Sequence, residues 1–240
     1  MPWYTTAAIL GSAAGYSARS ASSRSQRYNR RHLAGGLGYD DVVDLSRYPI
    51  NDPAGPAYRA LIQAGQDQLR DQGVAQLTGF LTPAAVRQML ALASQLAAQA
   101  WASDQAHTVY FEPADDSAGP DHPRALLQHS AKKAIAYDQI PADAAIRRLY
   151  ESDDLTAFIA AVLGKRVLYR GADPLDAVEI AIFGDGDELG WHFDNSEFSV
   201  TVMYQQAEAG GHFDYRGDDP VSRWQQAGLG EVEAVTTRLR

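Results

Sequence analysis

Residues 184–204 read GDGDELGWHFDNSEFSVTVMY, and the parity of their apolar positions decides the fold class. Phe198, Val200, Val202 and Tyr204 share one parity, with Ser199, Thr201 and Met203 on the other. A period of two marks a half-buried strand, because successive side chains leave opposite faces of a sheet. Upstream, Val178, Ile180 and Ile182 alternate with Glu179 and Ala181, ahead of a turn at Gly184-Asp185-Gly186-Asp187. Downstream, Ala209-Gly210-Gly211 predicts another turn, and Phe213 to Tyr215 a strand returning along the first.

Towards the amino terminus the period changes. Ala57 to Gln72 reads as a helix closed by Gly73, followed by a short strand at Val74 to Leu77. Thr82-Pro83 supplies an N-cap and a first helical residue, and Val86, Met89, Leu90, Ala93, Ala97 and Ala100 recur at helical spacing up to Trp101. His107 to Ser130 is polar, carries three prolines and reads as a long loop or edge region; His107, His122 and His129 are placed on its surface. Two short helices follow, Ala142 to Glu151 and Leu155 to Leu163, with Gly164 as the stop. Helices first and antiparallel strands after them give an α+β class, with a jelly roll braced by amino-terminal helices.

Composition removes several functions. The chain has 240 residues, 45% apolar and 21% charged, which suits a soluble globular protein. No cysteine means no disulfide, thiolate zinc site, iron–sulfur cluster or cysteine nucleophile. A net charge of −9 argues against a nucleic-acid partner, and no apolar run approaches a bilayer span. The charge is uneven: residues 1–39 hold five arginines and no acid. Residues 1–40 are therefore expected to be a disordered or non-native tail, with a transit peptide as the other reading. No export signal is evident and cysteine is absent, which favours the cytoplasm.

The chemistry concentrates at Gly190-Trp191-His192-Phe193-Asp194-Asn195-Ser196-Glu197. In an extended strand residues i and i+2 share a face, so His192 and Asp194 can converge on one ion. An imidazole and a carboxylate are two of the three ligands in the facial triad of non-haem Fe(II) oxygenases. The tripeptide alone is weak: about 0.75 His-x-Asp/Glu matches arise by chance at average composition, and His212-Phe213-Asp214 is a second. A strand histidine is otherwise a packed or hydrogen-bonded residue. Trp191 can wall a metal pocket or belong to the core, and Asn195 and Glu197 can face substrate or solvent. The Gly184-Asp185-Gly186 loop lacks the lysine and the strand–loop–helix setting of a phosphate cradle.

The run from Gly184 to Tyr215 resembles the Fe(II)/2-oxoglutarate-dependent family of the carrier-free amino-acid halogenases and their hydroxylating relatives. So do Asp44 to Ile50 (DLSRYPI), Val109 to Glu112 (VYFE) and Ala136 to Pro141 (AYDQIP). The resemblance covers about residues 41–215 and implies a double-stranded β-helix with His192 and Asp194 as iron ligands. It implies Fe(II) and 2-oxoglutarate as cofactors, with O2 and a small molecule such as a free amino acid as substrates. Halogenating relatives carry a small residue at the acid position, which leaves room for a halide. Asp194 fills it, so hydroxylation is the implied outcome.

The resemblance also implies a distal histidine and a 2-oxoglutarate-binding arginine farther along than this chain runs. Residues 216–240 lack the alternation of closing strands, so the expectation is a domain incomplete at its carboxyl end. Arg216, Arg223, Arg238 and Arg240 are carboxylate clamps by residue type only. His212, placed on a strand returning along Phe198 to Tyr204, is expected too far from His192 to share an ion. The competing readings are an inactive or truncated member that binds a ligand or partner, and a cupin-type metal site.

Overall fold

The computed structural model describes residues 6–11, 38–194, 198–215 and 237–239. Its class is mixed helix and antiparallel sheet, as the change of period predicts. Among the described residues there are four α-helices: α1 (Pro56–Gln72), α2 (Pro83–Leu96), α3 (Ala145–Tyr150) and α4 (Asp153–Val162). Pro56 at the first helical position and Gly73 at φ 72° begin and end α1. The Thr82 hydroxyl accepts from the Ala85 N–H at 3.2 Å to start α2, and Ser152 accepts from Leu155 to start α4. Helix α1 approaches α4 closely, since a side chain at Gly65 would meet Val162 at 3.0 Å.

The strands are β1 (Thr6–Gly11), β2 (Val74–Thr78), β3 (Trp101–His107), β4 (Gln128–Ile135), β5 (Ile180–Ile182), β6 (Leu189–His192), β7 (Phe198–Met203), β8 (Phe213–Tyr215) and β9 (Thr237–Leu239). They form two sheets, β2-β1-β7 and β3-β4-β6-β9-β8, with β5 also on β4; every pairing is antiparallel. Among the described residues neither sheet closes on itself.

Buried apolar side chains join the helices to the sheets. Phe80, Met89, Ile135, Ile140, Phe158 and Ile180 are at most a few per cent exposed, with Val42, Val43 and Ile50 sealing the entry segment. Tyr48 meets Phe80 edge-on at 5.4 Å, and Tyr58 meets Phe158 at 6.1 Å. Such contacts bury apolar area at about 25 cal/mol per Å2.

Four expectations change. The helical reading through Trp101 ends earlier: the α-helix closes at Leu96 and a single 3-10 turn, Ala97–Gln99, follows, because alanine-rich propensity favours continuation but the pairing of Trp101–His107 with Gln128–Ala134 wins. His107 is therefore the buried end of a strand, 5% exposed, and not a surface loop residue. Thr6–Gly11, inside the expected tail, is the centre strand between β2 and β7; residues 12–37 lie outside the described residues. Finally, β8 does not return along β7 but pairs with β9, whose three residues lie in the segment read as lacking strands. A chain beginning at residue 12 should consequently melt several degrees below the full chain, because β2 and β7 would each lose the same partner. Equal midpoints by circular dichroism would show that β1 adds nothing to stability.

Candidate functional site

Strand β6 alternates, burying Gly190 and His192 while Leu189 and Trp191 take the other face, partly exposed. Trp191 is thus turned away from His192 by parity. His192 is 6% exposed, and its Nδ1 lies 2.8 Å from the Gly190 carbonyl oxygen. A carbonyl only accepts, so Nδ1 carries a proton, and when the ring is neutral Nε2 bears a lone pair. That Nε2 faces Asp194 Oδ1 at 3.3 Å. Asp194 Oδ2 accepts from the Ser199 hydroxyl at 2.6 Å, tying the start of β7 to the end of β6. Hydrogen bonding from the His192 ring when it is protonated, assisted by Ser199, holds the Asp194 carboxyl below the usual carboxylate range although burial opposes it.

The consequence is electrostatic. With the ring neutral, a bare imidazole nitrogen and a carboxylate oxygen, both acceptors, face each other at 3.3 Å. A cation between them, or a proton when the ring is charged, turns that repulsion into attraction. Neighbouring corners of an octahedral ion with bonds near 2.1 Å are about 3 Å apart. The pair therefore fits two adjacent positions of a divalent ion, and the Nδ1–H bond to a carbonyl is the usual support of a ligating histidine. Among the described residues no group of three or more His, Asp or Glu could hold a metal.

The Val109–Glu112 stretch comes to this site. The Phe193 N–H donates to the Val109 carbonyl at 2.8 Å, and Phe193 stacks on Tyr110 at 5.4 Å. Arg124 lies over the Tyr110 ring at 4.9 Å and pairs with Glu112 at 2.9 Å. Phe111 has φ 59°, the sole positive value among the described non-glycine residues. Its ring packs on His107 at 4.6 Å and on His192 at 4.9 Å. Strain of this kind, of order 1–3 kcal/mol, persists where surroundings impose it and concentrates at functional sites.

Asn195 and Glu197 lie outside the described residues, as do Arg216, Arg223 and Arg240; for Arg238 the structure gives only the backbone pairing with Asp214. His212 lies just before β8 and is exposed. The register Leu189–Leu239–Phe213 and His192–Thr237–Tyr215 puts β8 two strands from β6. His212 is then roughly 14 Å from His192 at ~4.8 Å per strand and ~3.3 Å per residue, much nearer than a hairpin with β7 implies, yet too far to share an ion. His129 is exposed on β4 between Asp104 and Glu188, and His122 lies in the connecting loop.

The sequence reading missed His107, Ser130 and Phe111. Strand β3 reads WASDQAH, without apolar alternation, so nothing marked its last residue as buried. For Phe111 no signal exists, since strain is not written in residue types.

Residues 58–216 match the family described as halogenase D. No curated protein matches the chain.

Proposed function

Because this chain belongs to the halogenase D family, we propose that it is a non-haem Fe(II)- and 2-oxoglutarate-dependent oxygenase hydroxylating a free amino acid or similar small metabolite. The observation that carries the reading is the pair of acceptors, His192 Nε2 and Asp194 Oδ1, facing each other at 3.3 Å. Bound Fe(II) with 2-oxoglutarate would supply the oxidising chemistry.

The chain's own residues have three tasks. His192 and Asp194 hold the ion, each fixed from behind by one hydrogen bond, from His192 to the Gly190 carbonyl and from Ser199 to Asp194 Oδ2. Ser199 occupies one carboxylate oxygen, which leaves Oδ1 as the donor on the His192 side. Phe111 lies against the His192 ring and restricts its rotation. A carboxylate at position 194 fills the corner that the resembling halogenases leave for halide, which favours hydroxyl transfer. The sheet bearing β6 is read as one wall of a double-stranded β-helix. The chain is read as cytoplasmic on the lack of cysteine, and no helix among the described residues is long and apolar enough to cross a membrane.

The test is succinate formation from 2-oxoglutarate with Fe(II) under air, against a panel of free amino acids. Mass spectrometry then seeks a product heavier by one oxygen atom. Succinate that rises with one amino acid, and vanishes in His192→Ala, is the expected result. Silence across the panel, with a ligand still bound, would replace the enzyme with a binding module.

A further inference from the structure

Behind His192 runs a buried chain of hydrogen bonds that the metal reading does not require. His107 Nδ1 lies 2.8 Å from the Thr108 carbonyl oxygen, so it carries the proton and leaves Nε2 as an acceptor. His107 Nε2 accepts from the Ser130 hydroxyl at 2.7 Å. With its proton committed there, the Ser130 oxygen accepts from the Gly190 N–H at 3.0 Å. Gly190 in turn presents its carbonyl to His192 Nδ1 at 2.8 Å. Thr108, His107, Ser130, Gly190 and His192 are all buried.

The link at Gly190 is where such a chain would fail. A side chain there would meet the His129 carbonyl oxygen at 2.6 Å and Gln128 Cβ at 2.7 Å, so β6 can approach β4 only with glycine. Glycine is also the backbone with most freedom, and the pairing of β6 with β4 is limited to Ser130 opposite Leu189. The Ser130 hydroxyl supplies the restraint that so short a pairing and an absent side chain cannot.

We propose that Ser130, oriented by His107, is a positioning residue: it pins Gly190 so that its carbonyl fixes His192 in the Nδ1–H tautomer, with the Nε2 lone pair turned to Asp194. The functional meaning rests on reading His192 as a metal-facing donor; the tautomer does not. Phe111, itself partly open to solvent, packs on both rings.

The experiment is nitrogen-15 NMR of the metal-free full chain at alkaline pH, where the ring nitrogens report the tautomer directly. In the wild-type protein His107 and His192 should each show a single form protonated at Nδ1. Ser130→Ala should leave a dispersed, folded spectrum while His192 becomes a mixture containing the Nε2–H form. His107→Phe should shift His192 the same way by freeing the hydroxyl, and His107→Gln, which keeps an acceptor, should shift it less. A second arm titrates Co(II) anaerobically, where Ser130→Ala should weaken binding about 10–100-fold. If the wild-type chain binds no Co(II), the metal reading falls and the tautomer arm alone decides. An Nε2–H form of either ring in the wild-type protein overturns the proposal, and so does a single unchanged His192 form in folded Ser130→Ala. The wild-type measurement needs no variant to fold.

Discussion

Replacing His192 or Asp194 by alanine should weaken anaerobic Co(II) binding by more than about 100-fold, beyond the 10–100-fold typical of losing a supporting partner. His212→Ala should leave it unchanged. Each alanine removes one of two acceptors that face each other at 3.3 Å, and with it half of the donor set in the described residues. The remaining group keeps its own support: His192 its Gly190 carbonyl, Asp194 its Ser199 hydroxyl. Folding should therefore survive, and the loss should appear in the Co(II) visible absorption alone. His212 lies outside β6 by two strands, so its removal touches nothing at the site. Wild-type affinity in either of the first two variants would remove that residue from the ligand set. A loss in the third would mean that β8 swings towards β6 when metal binds.

The second large effect is expected at Gly190. Alanine there places a carbon 2.6 Å from a backbone oxygen and 2.7 Å from Gln128 Cβ, and neither is the far end of a flexible side chain. Strands β4 and β6 must separate. Forced overpacking costs on the order of 3 kcal/mol, which lowers the melting midpoint by roughly 6–12 °C in a chain of this size. Separation also draws Gly190 from Ser130, so His192 should lose its orientation along with the stability. Calorimetry reads the first effect and Co(II) titration the second. An unchanged midpoint would show that the sheet accommodates a methyl group at that crossing.

The closeness of His192 and Asp194 is legible in the sequence, and the hydrogen bonds behind them are not. His192 and Asp194 stand two apart in a strand whose neighbours alternate, so their spacing suggests one shared face. The helix start at Thr82-Pro83 and the stop at Gly73 were equally readable, because capping chemistry is local. His107 and Ser130 were hidden for the opposite reason. Each is polar, in segments that read as loop or polar strand, and their meaning comes from a partner 23 residues away. The placements of β8 and β9 failed similarly: a Gly-Gly turn announces a reversal but not which strand receives the returning chain. Parity also bears on Trp191, read as a wall of the metal pocket or core: as the neighbour of His192 in a strand it takes the opposite face.

Strand β1 sets a schedule for how the molecule comes to be. Its Ile9 lies opposite Ala75 on one side and Val200 on the other. As the chain emerges from the ribosome, the first partner arrives early, but the second lies roughly 190 residues downstream, about 10–40 s later at 5–20 residues per second. Until then β1 exposes an unpaired edge, the condition in which nascent chains recruit chaperones or one another. Pairings this distant in sequence also slow spontaneous refolding, since the loop must close before the contact repays it. Refolding from denaturant is accordingly expected to lag the helices and to depend on protein concentration, as edges from different molecules compete for the place that β7 takes last.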